Sequence, residues 1–317
     1  MAPPARHLRL ASRGSPLARW QAERVAARLA ATGVDCSVMV VETEGDRRSA
    51  MPIEDLGGQG VFVREVQVAV TRGDADAAVH SAKDLPASPE LSVPGLTIGA
   101  IPERADSRDL LVGSTLEGLA TGSTVATGST RRRAQLANLR PDIVFTGLRG
   151  NMDRRLAQAG TDGVTAVVVA KAAADRLGWA PPPGMATEVL DPAAMVPQVA
   201  QGALAVECRS DDPEVLAVLA AIDDPDWRRL VEAERAFLAE LGGGCTLPVG
   251  AQARWAHDEP AVGGRDRTLC LTGMMASYDG RIVLRHDAEG DDPVEVGVDA
   301  AAWLLDAGGR QLLGASE

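Results

Sequence analysis

Short apolar strand patterns alternate with amphipathic helix patterns along the first third of the chain. The order is strand, helix, strand, helix, strand, with a polar, Gly-rich stretch at 45–60 that predicts a mobile loop. This order is typical of a parallel sheet wrapped by helices. The predicted strands lie at 7–13, 35–44 and 77–82, and the predicted helices at 17–30 and 61–73.

A second region repeats the theme, with strand patterns at 123–129, 142–150 and 165–170, each followed by a helix pattern. Its opening, VATGSTRRRAQL, is similar to the opening of the first region, LASRGSPLARW, because both pass from a strand through small and hydroxyl residues into a helix. The sequence therefore predicts two similar α/β lobes. The stretch 195–212 predicts a strand that returns to the first lobe.

The pattern changes at about residue 220, where a long helix with a glycine stop precedes three antiparallel strand patterns and a final helix. The predicted fold class is α/β, with two lobes and a C-terminal α+β domain. The predicted boundaries place domain 1 at 1–99 and 200–219, domain 2 at 100–199 and domain 3 at 220–317.

Composition excludes several classes of protein. No apolar run reaches the ~18 residues that a membrane span needs, and the N-terminal MAPPARHLRL lacks the apolar core of a secretion signal, so we expect a cytoplasmic protein. The formal net charge of -12 argues against a nucleic-acid partner. Four widely spaced cysteines without a CxxC pair predict neither a metal site nor a disulfide framework: Cys36, Cys208, Cys245 and Cys270.

Arginines occupy the first turn of the helix that follows TGST, at Arg131, Arg132 and Arg133. A helix N-terminus already carries about half a positive charge, so cations there are unfavourable by ~0.3–1 kcal/mol each. A bound anion would relieve this repulsion by using both the guanidinium and the backbone N–H groups. The alternative is a basic face that pairs with carboxylates elsewhere in this acidic chain.

Further arginines follow the ends of other predicted strands, with Arg149 in GLRGN, Arg154 and Arg155 just after it, and Arg13 ahead of Ser15. Ligands of open α/β sheets bind beyond the carboxyl ends of the strands. Because arginine pairs with carboxylates through two parallel hydrogen bonds, several arginines among hydroxyl groups indicate a ligand with many carboxylates.

Two further stretches carry candidate chemistry. In HSAKDLP, Lys83 adjoins Asp84 at a strand end and favours its charged form, which suits stabilising a cationic intermediate or moving a proton; the alternative is a plain ion pair. We expect His80, inside the strand pattern, to be structural. In GGGCTLPVG, Cys245 follows glycines that allow close approach to the backbone, the alternative being a passive thiol after a helix end.

Together these motifs resemble the hydroxymethylbilane synthase (porphobilinogen deaminase) family over nearly the whole chain. The resemblance runs in order through LRLASRGSPLARWQA, GGQGVFVREVQVAV, DAAVHSAKDLP, ATGSTRRRAQLANLRPD, LRGNMDRRL, VAQGALAVECR and ERAFLAELGGGCTLPVGA. Of these, HSAKDLP and GGGCTLPVGA are specific to the family. The resemblance implies three domains, the first two similar to the lobes of periplasmic binding proteins.

The resemblance also implies a covalently attached dipyrromethane cofactor with four carboxylates, joined through a thioether at Cys245. Asp84 and Lys83 match the family's catalytic positions, and Phe62 matches a residue that packs over the cofactor rings. The remaining positions that the resemblance assigns to cofactor or substrate binding are Arg13, Ser15, Gln21, Ser81, Thr127, Ser129, Arg131, Arg132, Arg149, Gly150, Arg155, Arg176, Gln198 and Gly202.

The implied reaction is a transferase step of haem and other tetrapyrrole biosynthesis. Porphobilinogen loses ammonia to give an azafulvene, the terminal pyrrole of the primer attacks it, and after four rounds hydrolysis releases hydroxymethylbilane. We expect a monomer with small-molecule substrates only. The alternative function is a two-lobed binding protein for a small anion without catalysis, which would leave Cys245 and the third domain without a role.

Four residues depart from the family pattern. Gln59 stands where lysine is frequent, Asp55 where a basic residue is frequent, Gly128 where serine is common and Ala200 where glycine is usual. The first two weaken the expected grip on substrate carboxylates, and Gly128 removes a hydroxyl group. None of them replaces Asp84, and the expectation of activity stands.

Overall fold

The computed structural model describes residues 7–42, 63–243, 247–256 and 267–314 of the 317. The strands are β1 (Leu8–Arg13), β2 (Cys36–Val41), β3 (Ala77–Ser81), β4 (Leu96–Ala100), β5 (Asp109–Val112), β6 (Thr124–Ala126), β7 (Val144–Thr146), β8 (Ala166–Ala170), β9 (Thr187–Val189), β10 (Leu204–Arg209), β11 (Val249–Trp255), β12 (Leu269–Ala276) and β13 (Val283–Gly290). The helices are α1 (Pro16–Ala31), α2 (Arg64–Thr71), α3 (Thr130–Leu139), α4 (Met152–Leu156), α5 (Lys171–Arg176), α6 (Pro213–Ala220), α7 (Pro225–Glu240), α8 (Pro293–Leu304) and α9 (Arg310–Gly314).

The chain divides into two compact units. The first unit contains Met1–Ala105 and Gly202–Arg228, and the second contains Asp106–Gln201 and Arg229–Glu317. The chain therefore passes between the units at 105–106, at 201–202 and inside α7 at 228–229. The three-domain boundaries read from the sequence stay a prediction.

The first unit is built on one five-stranded sheet in the order β2-β1-β3-β10-β4. β1 runs parallel to β2 and β3, whereas β10 runs antiparallel to both β3 and β4. The predicted returning strand is confirmed as β10. The parallel arrangement predicted for the strands at 7–13, 35–44 and 77–82 is confirmed in β1, β2 and β3. The sheet as a whole is mixed, because β10 follows the passage of the chain through the second unit and not a helical crossover. Apolar side chains of β1, β3 and α1 pack on one face, and α2 covers the other.

The second unit contains a five-stranded sheet in the order β7-β6-β8-β5-β9. β6 is parallel to β7 and β8, and β5 is antiparallel to its neighbours β8 and β9. Sequence patterning predicted β6, β7 and β8. It missed β4, β5 and β9.

The same unit holds a three-stranded antiparallel sheet in the order β11-β12-β13, accompanied by α7 and α8. This confirms the predicted C-terminal α+β segment, and with it the α/β fold class. Among the described helices the longest have 16 residues, and none combines the length and apolarity of a membrane span.

Close contacts join the two sheets of the second unit. A methyl group at Gly280 would lie 2.3 Å from the Ala134 carbonyl of α3, so the turn before β13 packs directly on that helix. Asn138 Nδ2 donates to the Gly280 carbonyl at 3.0 Å. Arg285 Nη2 donates to the Ala194 carbonyl at 2.9 Å. Because a side chain at residue 280 would clash with α3, the packing of this turn on α3 requires glycine there.

Phe237 of α7 carries the largest expected loss of packing in the C-terminal segment. Its side chain is fully buried, and a methyl group at Gly273 of β12 would lie 2.7 Å from its ring. We expect Phe237→Ala to lower the free energy of unfolding by about 3–5 kcal/mol, measured by urea denaturation. Val294→Ala, on the half-exposed face of α8, is the control and should change it by less than about 0.5 kcal/mol. A loss below about 1 kcal/mol at Phe237 would contradict the tight packing described.

Candidate active site

The predicted site residues divide between the two units. In the first unit, Arg13 ends β1 and Ser15 caps α1, where the Ser15 Oγ accepts from the Ala18 N–H at 3.3 Å. The first turn of α1 contains no acidic residue, so its positive end is not offset by the helix itself. Gln21 is buried in the same helix.

Lys83 and Asp84 follow β3 in a single 3-10 turn, Ala82–Asp84, that Ser81 precedes with extended backbone. Both side chains are half-buried. β3 is a central strand, flanked by β1 and β10. The Ala82 N–H of the turn donates to the carbonyl of Ala203, the residue before β10, at 3.0 Å. The position matches the carboxyl end of a strand, where α/β proteins place ligands.

His80 lies in β3, three residues before Lys83, and is buried. Its Nε2 is 3.4 Å from Glu207 Oε2, and Gln67 of α2 donates to the same carboxylate oxygen at 2.9 Å. These three side chains tie β3, β10 and α2 together beneath the Lys83–Asp84 turn, which agrees with the expected structural role of His80.

In the second unit, the predicted hydroxyl groups meet at the start of α3. Thr127 Oγ1 accepts from the Ser129 N–H at 3.2 Å, and Ser129 Oγ accepts from the Arg132 N–H at 3.4 Å. Each hydroxyl therefore uses an oxygen lone pair for the backbone and keeps its own hydrogen to donate. The first turn of α3 has no acidic residue. By contrast, α6, α7 and α8 each begin with one: Glu214, Asp226 and Glu295.

The arginines of this turn point inward to a carboxylate that sequence reasoning did not single out, Asp109 at the start of β5. Arg131 Nη2 lies 2.7 Å from Asp109 Oδ2, and Arg132 Nη2 lies 2.8 Å from Asp109 Oδ1. Asp109 is fully buried, Arg131 is 3% exposed and Arg132 is 8% exposed. The chain thus supplies part of the countercharge itself, in line with the alternative that these arginines pair with carboxylates elsewhere in the chain, and the bound anion stays a prediction.

Two guanidinium groups share one carboxylate in this cluster, so one positive charge is left over. Burial by itself raises the pKa of Asp109, but Arg131, Arg132 and a hydrogen bond from Gln201 outweigh it and hold the pKa well below its usual range. Burial also lowers the pKa of Arg131, against the attraction of Asp109. A buried surplus charge is costly unless an anion pairs with it. The start of α3 therefore favours an anionic ligand group.

Arg149, Gly150 and Arg155 lie in the β7–α4 region. Arg149 is half-buried, Gly150 has φ of 99°, and Arg155 Nε donates to the Gly150 carbonyl at 2.7 Å. Gly128 lies beside Arg149, because a methyl group at Gly128 would be 4.0 Å from Arg149 Nη1 and 3.0 Å from the Leu148 carbonyl. The loss of the serine hydroxyl at Gly128 thus affects the surroundings of Arg149.

The remaining predicted residues are less concentrated. Arg176 is buried at the end of α5, and Gln198 is half-buried in the segment after Met195. Gly202 is buried, has φ of 87° and is the first residue of the segment Gly202–Arg228 of the first unit. The predictions for Phe62 and Cys245, with the 45–60 loop and the departures Asp55 and Gln59, lie outside the described residues.

The three described cysteines are poor nucleophiles. Cys208 and Cys270 are buried, and Cys36 is half-buried. Burial raises the pKa of all three thiols, to about 11 for Cys208. Since the thiolate is the reactive form, a covalent attachment through sulfur is least favourable at these three positions.

The connection between the units shows a further departure. Ala200, where relatives usually have glycine, adopts φ of 57°, a left-handed conformation that an alanine adopts only at a cost of about 1–2 kcal/mol. Its N–H donates to Glu234 Oε2 at 2.6 Å, and the other oxygen of this fully buried carboxylate accepts from Ala253 at 2.8 Å. Sequence reasoning missed Asp109, Gln201 and Glu234. For the two acids, the sequence signal that could have found them is a carboxylate beside apolar residues, as in DLLV, because a buried acid needs a partner.

Comparison with known proteins gives full-length matches. The model of the "Porphobilinogen deaminase, dipyromethane cofactor binding domain" matches residues 8–217, and that of the "Porphobilinogen deaminase, C-terminal domain" matches residues 229–306. A porphobilinogen deaminase of Acidothermus cellulolyticus is 42% identical, covering 96% of this chain and 91% of its own. That of Bacillus subtilis is 38% identical, covering 97% and 96%.

Among solved structures, the methionine-binding protein MetQ matches 76% of this chain and 97% of its own at 15% identity. The TM-score is 0.41, so the family assignment depends on the sequence matches.

Proposed function

The chain belongs to the porphobilinogen deaminase family, and from this premise we propose that it is a hydroxymethylbilane synthase. It joins four porphobilinogen molecules head to tail with loss of ammonia and releases the linear product by hydrolysis. The observation that carries the proposal is that both family models match in order, over residues 8–217 and 229–306. The function of the relatives, rather than the fold, supports the substrate.

The described residues fit the dipyrromethane cofactor of this family. A group with four carboxylates needs several cations or N–H donors in a site that carries net positive charge. The start of α3 provides the surplus charge of the Arg131–Asp109–Arg132 cluster, together with the hydroxyl hydrogens of Thr127 and Ser129. Arg149 and Arg155 add two more guanidinium groups in the same unit. The proposed attachment position is Cys245, by its place in the family motif GGGCTLPVGA, and burial, which raises the pKa of the other three thiols, disfavours attachment there.

We assign roles to the chain's own residues as follows. The arginines and hydroxyl groups of the second unit bind and orient carboxylates, and Arg13, Ser15 and Lys83 do so in the first unit. Asp84 accepts hydrogen bonds from pyrrole N–H groups and stabilises positive charge that develops when ammonia leaves. Asp84 also takes up the proton that leaves after each bond forms. When bound, the cofactor would supply the free pyrrole carbon to which the first unit is joined, and each later unit would join the terminal pyrrole of the growing chain.

We further propose that the enzyme acts as a cytoplasmic monomer on small molecules only. The formal net charge of -12 supports the absence of a nucleic-acid partner, because such binding depends on a basic surface.

Turnover by the purified chain tests the proposed function. Incubation with porphobilinogen should release ammonia and hydroxymethylbilane in a ratio of four to one, and the protein should carry the added mass of two deaminated porphobilinogen units. The mass is measured on the intact protein after denaturation, which retains only covalent groups. Binding of porphobilinogen without ammonia release and without added mass would instead indicate the anion-binding alternative.

A further inference from the structure

The Asp109 cluster contains residues at or near two of the three points where the chain passes between the units. One connection enters at Asp106 and reaches Asp109 three residues later, and the other leaves at Gln201. Gln201 Nε2 donates to Asp109 Oδ1 at 2.8 Å and to the Ser107 carbonyl at 2.8 Å. Gln201 and Asp109 are fully buried. Asp109 and Gln201 therefore join by hydrogen bonds the residues next to two of these passages.

The same carboxylate fixes Arg131 and Arg132, the two buried arginines of the α3 turn. Arg132 donates to Asp109 Oδ1 through Nε at 3.0 Å and to the Val168 carbonyl through Nη1 at 3.0 Å. Arg131 Nη1 donates to the Val196 carbonyl at 2.6 Å, while its Nη2 faces Asp109. Each guanidinium is thus held at both ends, and its orientation depends on Asp109 as the shared anion.

We propose that Asp109 is a positioning residue of the carboxylate-binding site. It acts through Arg131 and Arg132, fixing both guanidinium groups and cancelling one of their two charges, so that the start of α3 presents a single net positive charge to one ligand carboxylate. This inference rests on the proposed function for the identity of the ligand. Asp109 itself makes no contact with substrate.

Ligand binding without turnover provides the first test. In a Cys245→Ala chain, which cannot load the cofactor, Asp109→Asn should weaken binding of porphobilinogen at least about tenfold by titration calorimetry. The asparagine keeps the acceptor for Gln201 and Arg132, but its amide faces Arg131 Nη2 with a second donor. Unchanged affinity in the folded variant would overturn the proposal.

Asp142→Asn is the matched control. Asp142 pairs with Arg140 at the other end of α3, through Arg140 Nε at 2.8 Å and Nη2 at 2.7 Å. The control removes an arginine–carboxylate pair that follows the same helix and is more exposed than the pairs of Asp109, and it should change the affinity by less than about twofold. A similar loss in both variants would mean that Asp109 only supports the helix, and would overturn the positioning role.

A second variant decides the matter if Asp109→Asn does not fold. Gln201→Met keeps the volume and both ion pairs but removes the amide donors to Asp109. It should weaken porphobilinogen binding at least about threefold, as expected for loss of a hydrogen bond to a charged group. No change in a folded Gln201→Met chain would count against the proposal.

Steady-state kinetics of the loaded enzyme give the readout that a purely structural role would not move. Asp109→Asn should raise KM for porphobilinogen about tenfold and change kcat less than about threefold, because carboxylate binding is common to ground and transition states. Combined with Arg132→Gln, its effect on kcat/KM should be less than multiplicative. Independent effects would overturn the proposal.

The outcomes separate this inference from the proposed function. A wild-type chain that turns over, with an unaffected Asp109→Asn variant, removes the inference alone. A wild-type chain without turnover, whose porphobilinogen binding nevertheless depends on Asp109, removes the proposed function and retains the positioning role.

Discussion

Replacing Asp84 by alanine reduces the turnover of porphobilinogen by about 10²–10⁴-fold, the range expected for loss of a group that moves a proton or stabilises charge. The residue occupies a short turn at the end of a central strand, and its carboxylate is half-buried, so it is partly accessible. Stopped assays of ammonia release measure the effect. Circular dichroism of the same sample shows whether the variant is folded.

Asp35→Asn serves as the control for this experiment. The Asp35 side chain is 80% exposed and pairs with His7 at 2.8 Å, at the start of β2, so its loss should leave turnover within about twofold of wild type. A folded Asp84→Ala chain with more than about a tenth of wild-type turnover would remove the assigned role from Asp84.

Replacing Cys245 by serine abolishes the covalent adduct, and turnover falls to background. Serine matches the size of cysteine, but its hydroxyl group is a far weaker nucleophile at neutral pH than a thiol. The intact mass of the variant after incubation with porphobilinogen should equal that of the unmodified chain.

Cys36→Ser is the matched control for the attachment. Cys36 is the least buried of the described cysteines, and burial followed by the nearby Asp35 raises its pKa. The control should load the cofactor and turn over like wild type. An adduct that survives Cys245→Ser and disappears with Cys36→Ser would move the attachment to β2.

Much of the fold followed from patterning in the sequence. The helices that begin at Pro16 and Thr130 were predicted from the similar openings LASRGSPLARW and VATGSTRRRAQL, and the return of β10 to the first sheet was predicted from the stretch 195–212. The antiparallel direction of β10 was not predicted, because a strand's own pattern does not show whether its neighbours run parallel or antiparallel. Direction depends on connectivity between units, which local periodicity does not contain.

The candidate site was predicted at its strand ends but not in its interior. The motif TGSTRRR gave the correct location for a cluster of charge, whereas the bound anion expected from repulsion at the helix start stays a prediction. Asp109 was missed because it is 22 residues from Arg131 in sequence and adjoins it only through the pairing of β5 with β8. Charge balance in a buried cluster depends on such nonlocal pairing, whereas motif reading treats each stretch separately.

The bare backbone at Gly250 and Gly280 has a consequence for protein engineering. Methyl groups there would lie 2.6 Å from the Pro197 carbonyl and 2.3 Å from the Ala134 carbonyl. Gly250 therefore packs directly on the loop that contains Pro197, and Gly280 packs directly on α3. Chimaeras of this chain and a relative therefore need both segments of the second unit from one parent. A single crossover at 105–106 keeps these two segments together, whereas one at 201–202 or at 228–229 takes them from different parents.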